Sequence, residues 1–121
     1  MAVSKNFNIT QVYKGTIKTV PLLPIKEAIL GKKYQLSLVY TDKKLATKLH
    51  KEWKKKDGPA NTLAFPFDKQ SGEIFLYPKS EHPIEYLFIH SCCHLKGHTH
   101  GHAMEKEEKK WRAKFGISEV R

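Results

Sequence analysis

An apolar segment near the C-terminal end of the sequence, residues 85–95, has the composition of a helix buried in a protein core. Gly97 follows it, and glycine is typical just beyond the last residue of a helix. The segment is much shorter than the roughly 20 apolar residues needed to span a bilayer, and no other apolar run approaches that length. We therefore expect a globular fold with this helix in its interior.

Short strands are predicted where apolar and polar residues alternate, at residues 7–10, 16–20, 34–40, 62–67 and 73–77. Residues 68–72 join the last two strands and resemble a hairpin connection. Further helices are predicted at residues 25–30, 43–53 and 101–114, with Thr41 or Asp42 as the cap of the second. Leu45, Leu49 and Trp53 are expected to form its apolar face. Strands and helices alternate irregularly, which predicts an α+β fold with a small mixed sheet of about four strands packed with helices.

The composition favours a polyanionic partner. The chain has 121 residues, enough for one domain across residues 1–121, and its 22 Lys and Arg against 12 Asp and Glu give a net charge of +10. Nucleic acid is the expected partner, and the alternative is a basic protein whose charge only keeps it soluble. An anionic membrane is less expected, since no basic amphipathic helix of the membrane-binding kind stands out. The N-terminus has no secretory signal pattern, and Cys92 and Cys93 are adjacent and so are not expected to pair. These features predict a cytoplasmic protein.

Five of the seven histidines fall between residues 90 and 102. His90 and His94 are four residues apart, so a helix would place them on one face, close enough to share a metal ion. Gly97 would then let the chain fold back and bring in His100 as a third ligand. Three protein ligands leave one tetrahedral zinc position for water, as in catalytic sites, although nickel or copper could compete. Two alternatives remain: an adventitious His-rich metal-binding stretch, or a core histidine at position 90.

The residues between these histidines narrow the possible chemistry. Ser91 occupies the position of the glutamate in the HExxH motif, which argues against a zinc metalloprotease. Cys92 and Cys93 are expected to be small buried apolar residues, with Cys93 facing the site as the alternative. Aromatic side chains could stack on nucleic-acid bases, but core packing is expected for each of them; they are Trp53, Phe65, Trp111 and Phe115.

Two sequence blocks resemble the YbeY family of rRNA maturation factors. The stretch H-S-C-C-H-L-K-G-H-T-H at residues 90–100 is similar to the family signature H-G-x-L-H-L-x-G-Y-D-H, with all three histidines and Gly97 in register. Residues 49–66 resemble the family block L-N-x-x-Y-R-G-K-D-x-P-T-D-V-L-S-F-P, and Gly72-Glu73-Ile74 stands where the family has G-D-I. The sequence departs from the pattern at four places: Lys54 replaces an arginine, Ser91 a glycine, His50 an asparagine, and His98-Thr99 a tyrosine–aspartate pair.

The resemblance implies a zinc-hydrolase-like domain that cleaves single-stranded RNA in rRNA maturation and contacts the ribosomal small subunit. It implies one Zn²⁺ or another divalent metal per chain, held by His90, His94 and His100, with Lys54 on a phosphate in place of arginine. Glu73 is an acidic candidate for a general base, or simply a strand-edge charge. Further lysines would follow the RNA backbone without reading its sequence; they are Lys43, Lys44, Lys48, Lys51, Lys55 and Lys56.

Two other functions remain possible on this sequence. One is a zinc-stabilised RNA-binding or ribosome-associated factor with weak catalysis, which the replacement of the family arginine by Lys54 favours. The other is a zinc hydrolase of a different substrate, such as a peptide, which the absence of an HExxH motif disfavours.

Overall fold

The computed structural model describes residues 1–97 and 101–117, in which strands and helices follow one another in mixed order. The strands are β1 (Ala2–Ser4), β2 (Phe7–Gln11), β3 (Gln35–Tyr40), β4 (Thr62–Asp68) and β5 (Ser71–Leu76). The helices are α1 (Leu22–Ile29), α2 (Lys43–Lys54), α3 (Ile84–Leu95) and α4 (His102–Phe115). The predicted α+β class is confirmed, with five strands in place of about four.

The strands form one mixed sheet in the order β1-β2-β3-β5-β4. The three central strands are parallel, whereas β1 pairs antiparallel with β2 and β4 antiparallel with β5. The predicted hairpin of β4 and β5 is therefore confirmed, and β4 is an edge strand. At the end of β4, the register shifts between Pro66 and Asp68, which marks a β-bulge.

One face of the sheet carries the core. Leu38, Ile74 and Leu76 are fully buried on that face, and α3 lies against β4 and β5. Gly72 on β5 lets Tyr34 and Leu95 of α3 lie very close to the backbone of the sheet. A Cβ at this position would lie 2.6 Å from the Tyr34 hydroxyl and 2.9 Å from Leu95 Cδ2. A side chain at position 72 would therefore push α3 away from the sheet.

Helix ends explain why most helix boundaries were predictable. The Asp42 side chain accepts a hydrogen bond from the Leu45 N–H at 2.8 Å and caps α2. Gly97 and Gly116 follow α3 and α4 with φ values of +108° and +66°, a left-handed conformation that favours glycine. The boundaries predicted for α2, α3 and α4 are confirmed to within one residue at each end.

Two sequence-based expectations are wrong. Residues 16–20 form no strand, because β2 pairs directly with β3 and the chain only crosses from β2 to α1 at that point. The apolar face predicted for α2 is also wrong at its end: Ala46 is the buried residue of this helix, and Trp53 is 61% exposed. Ile17 and Val20 pack against the core without joining the sheet, and Leu45 and Leu49 are only half-buried, so the pattern alone did not fix how these residues pack.

Lys26 on α1 is fully buried. Its ammonium group donates hydrogen bonds to the carbonyl oxygens of Gly31 at 2.9 Å and Lys32 at 3.1 Å, just beyond the C-terminal end of α1. These oxygens, at the negative end of the helix dipole, satisfy the buried cation. Burial lowers the pKa of Lys26 in spite of them. None of the helices in the described ranges has the length and apolar character required to cross a bilayer.

Candidate metal centre and RNA-binding surface

The two histidines on α3 lie together, as their spacing predicts. The ring centroids of His90 and His94 are 4.7 Å apart, and the rings meet edge to face. Both side chains are half-buried, because most of α3 is packed into the core and His90 and His94 lie on the part of the helix surface that remains accessible. A helix that is buried over most of its surface fixes the positions of the two imidazoles.

Glu108 on α4 orients the first histidine. Its carboxylate Oε1 lies 2.8 Å from the Nδ1 of His90, and Glu108 itself is only 7% exposed. Burial raises the pKa of Glu108, but the hydrogen bond from His90 and the nearby Arg112 outweigh burial and hold that pKa below its usual range. Glu108 is therefore a carboxylate, and it fixes the tautomer in which His90 Nε2 would bind a metal.

A second glutamate one residue earlier ties α4 to α3. Glu107 accepts hydrogen bonds from Trp111 Nε1 at 3.0 Å and from Lys96 Nζ, beyond the end of α3, at 3.2 Å. The indole hydrogen bond is the largest of the effects that lower the pKa of Glu107. Trp111 is buried against the core, as predicted, and so is Met104. The packing of these two residues fixes the position of α4 and therefore of Glu108.

The residues present fit part of a zinc site. Zinc proteins commonly use two neighbouring imidazoles as ligands. The ring nitrogen that does not bind the metal is often hydrogen-bonded to a carboxylate, as the Nδ1 of His90 is to Glu108. The third predicted ligand, His100, lies outside the described residues, as do His98 and Thr99. In the ranges 1–97 and 101–117, no group of three or more His, Cys, Asp and Glu side chains is arranged to hold a metal.

The two cysteines are not part of this donor set. Cys92 and Cys93 are free thiols and fully buried in α3, which confirms their expected role as small apolar residues. Burial raises the pKa of both thiols, to about 12 for Cys93. They remain protonated at neutral pH and do not provide the thiolate that zinc prefers.

The predicted phosphate-binding and RNA-binding lysines all lie on the surface. Lys54 is the last residue of α2 and is exposed, as are the other six lysines of the predicted set. After α2 the chain turns at Lys55, whose φ is +56°. The Nδ1 of His50 lies 3.1 Å from the Gly58 carbonyl oxygen, so His50 holds the basic turn against the helix. No sequence signal had assigned this role to His50.

Glu73 does not lie at a strand edge. It lies on β5, between β3 and β4, and accepts a hydrogen bond from the Ser37 hydroxyl at 2.9 Å. Its neighbour Ile74 points into the core against α3, so strand alternation places Glu73 on the opposite face of the sheet from the histidines. The suggestion that Glu73 is a general base for this site is therefore wrong.

A groove of about 660 Å³ opens beside His94. The bulged end of β4 and the end of α3 form its walls, including Phe67, Lys69 and Lys96. Further along β4, the Thr62 and Ser91 hydroxyls are 2.6 Å apart and join the strand to α3 next to His90. The histidine pair and the edge strand thus form one continuous site.

A helix that presents paired histidines with a buried carboxylate behind them, beside an open groove, is an arrangement typical of metal-dependent enzymes. The profile of the family described as Endoribonuclease YbeY matches residues 2–116. The chain therefore belongs to the YbeY family of endoribonucleases.

Individual relatives agree with the profile. Proteins named Endoribonuclease YbeY are similar in Pelagibacter ubique, with 31% identity over 97 residues, and in Ehrlichia chaffeensis, with 29% over 120 residues. The alignments cover 64% and 84% of this chain, and 63% and 78% of the two relatives. A third, from Ehrlichia canis, is 31% identical over 104 residues, or 68% of each chain. The chain thus spans a little less than two thirds of the length of the Pelagibacter relative.

Proposed function

We propose that this chain is a metal-dependent endoribonuclease that cleaves single-stranded RNA in rRNA maturation. The observation that carries the proposal is the His90–His94 pair with Glu108 behind it, in a member of the YbeY family. The net charge of +10 supports an RNA substrate, since a polyanion gains most from such a surface. The relatives' name, Endoribonuclease YbeY, describes the same reaction class.

His90, His94 and His100 would hold one zinc ion, or another divalent metal, per chain. Such an ion polarises a phosphoryl oxygen or lowers the pKa of a water molecule to about 7 when bound. His90 binds through Nε2, because Glu108 engages its Nδ1. The α3 helix keeps His94 one turn away on the same surface, beside the groove that would receive the RNA.

Lys54 would bind a phosphate of the RNA, in place of the arginine of the family pattern. It is the last residue of α2, and His50 anchors the turn after the helix, which carries Lys55 and Lys56. The exposed lysines along α2 would contact further phosphates and position the strand without selecting its sequence. In this role residues 1–121 act as one catalytic domain, in the cytoplasm, on rRNA of the ribosomal small subunit.

Cleavage of a labelled RNA tests this function. A 5′-labelled single-stranded RNA and the same RNA in a duplex are incubated with the protein and Zn²⁺ or Mn²⁺, with and without EDTA. We expect internal cleavage of the single strand only, lost with EDTA and in His94→Ala, and retained in His82→Ala, which changes a histidine in the loop before α3. No cleavage with any divalent metal would contradict the proposal.

A second function is a zinc-stabilised RNA-binding or ribosome-associated factor with little catalysis. The observation that favours it is Lys54, whose point charge lacks the two-pronged hydrogen bonding of the family arginine. Metal-loaded protein that binds the single strand and leaves it intact would support this second function over the first.

A further inference from the structure

Two aromatic side chains project from the surface around β4. Trp53 is 61% exposed and Phe67 is 65% exposed; of the described residues, the other large exposed apolar side chains are Met1 and Val12. Trp53 is nevertheless held in place. Its ring meets that of Phe65 at a centroid distance of 5.2 Å, and Phe65 in turn meets Phe75 at 5.7 Å. An exposed ring that is fixed from below can accept a flat partner at little entropic cost.

Phe67 connects this aromatic pair with the histidine site. It occupies the β-bulge between Pro66 and Asp68, a feature that redirects a side chain away from strand alternation. Phe67 lines the groove that also contains His94. Phe65 pairs with Glu73, so Phe65 and Trp53 lie on the face of the sheet opposite α3, whereas Phe67 at the bulge reaches the groove. Because β4 is an edge strand, a path from Trp53 to the groove passes around the edge of the sheet at Phe67.

The charges along this path suit a polyanion. Lys54, Lys55 and Lys56 directly follow Trp53 and are exposed, and Lys69 and Lys96 line the groove. Among the described residues of the groove wall the carboxylate is Asp68, which accepts a hydrogen bond from the Gln70 N–H at 2.7 Å, so the two lysines outnumber it.

We propose that Trp53 and Phe67 are stacking sites for two unpaired bases of an RNA strand that runs along β4 into the His94 groove. The proposal rests on the proposed function, which it deepens, since it names the residues that recognise single-strandedness. An aromatic ring can stack only on a base whose face is uncovered, so a duplex, whose bases are stacked on one another, offers these rings no partner. The lysines would supply affinity for either form, and the two rings would supply the preference for a single strand.

Binding measured without cleavage tests this inference. A fluorescein-labelled 12-nucleotide single-stranded RNA, the matching abasic ribose-phosphate strand and a duplex are titrated with EDTA-treated protein, and anisotropy gives Kd. We expect Trp53→Ala and Phe67→Ala each to weaken binding of the single strand about tenfold and to leave the abasic strand and the salt dependence unchanged. Trp53→Phe keeps a ring and should restore most of the affinity.

Val12→Ala, which truncates an exposed apolar side chain at the end of β2, is the matched control and should bind like the wild type. Trp111 is buried, so quenching of tryptophan fluorescence on binding reports on Trp53. Unchanged RNA affinity in both alanine variants would overturn the stacking sites and leave RNA cleavage standing, and the exposed rings would then fit a protein partner. If the wild type binds no RNA, the proposed function fails as well.

Discussion

Glu108 on α4 holds the Nδ1 of His90 on α3 at 2.8 Å, and this contact joins the two helices at the proposed metal centre. A carboxylate in this position orients the imidazole and increases its basicity, and its loss typically lowers metal affinity 10- to 100-fold. Glu108→Gln keeps the size and an acceptor oxygen but removes the charge. We therefore expect zinc affinity, measured by competition with a chelator, to fall by at least about tenfold.

The control for this substitution is Glu107→Gln. Glu107 accepts hydrogen bonds from Trp111 and Lys96, so the same chemical change there should alter zinc affinity little. Equal losses in the two variants would mean that Glu108 acts only through the stability of α4.

Lys54 is expected to act on the chemical step. Lys54→Ala removes a positive charge from the proposed phosphate contact and should lower kcat for the single-stranded RNA by about tenfold, equal to about 1.4 kcal/mol of transition-state stabilisation. Lys54→Arg restores the charge and adds a second hydrogen-bond donor in a fixed plane, so it should match or exceed the wild type. Lys33→Ala removes an exposed lysine ahead of β3 and is the control. Full activity in Lys54→Ala would exclude this role.

The lysines of α2 should determine the salt dependence of RNA binding. Each phosphate contact contributes a slope of about 0.7 in a plot of log affinity against log salt for a single strand. Replacing Lys48 and Lys51 with Gln should therefore reduce the slope by about 1.4. The same change at Lys14 and Lys18, between β2 and α1, should leave it unaltered if RNA follows α2. Equal slopes in the two double variants would place the RNA elsewhere.

Buried Tyr40 is expected to lower the free energy of unfolding at alkaline pH. It is 6% exposed, and burial, with a smaller effect of Glu85, raises its pKa to about 12. Tyrosine in an unfolded chain titrates near pH 10, so above that pH the unfolded state loses a proton that the folded state retains. Stability therefore falls as pH rises from about 10 to 12, by up to about 2.7 kcal/mol for two pKa units.

Tyr40→Phe should remove the part of the loss of folding stability at alkaline pH that is due to Tyr40. Urea unfolding at pH 9 and pH 11.5 measures it, with Tyr77→Phe, at the end of β5, as the control. A loss between the two pH values that is the same in Tyr40→Phe and in the wild type would contradict the prediction.

The sequence predicts best those features that local residues encode. Asp42, Gly97 and Gly116 mark helix ends through their own hydrogen bonds and backbone angles, and the four-residue spacing of His90 and His94 requires only a helix. The three-residue strand β1 is too short to show alternation, and it forms only because β2 pairs with it. Local patterns carry no information about such pairings.

The site was predicted only in part for the same reason. Glu108 lies 18 residues from His90 within a run of charged residues, and nothing in that spacing distinguishes it from Glu105 or Glu107. Only the packing of α4 on α3 selects it. Trp53 shows the reverse case, because its position on the apolar stripe of α2 predicts burial, whereas the sheet edge next to it leaves the ring exposed.

Elemental analysis of untagged protein tests the metal centre most directly. The wild type and His94→Ala are purified without chelator, equilibrated with zinc and dialysed, and zinc per chain is measured beside the folded fraction by circular dichroism. We predict about one zinc per chain in the wild type and its loss in the folded variant, because the three proposed histidine ligands and one open position would make a mononuclear site. Wild-type protein without stoichiometric metal, or a His94→Ala variant that keeps it, would contradict the account.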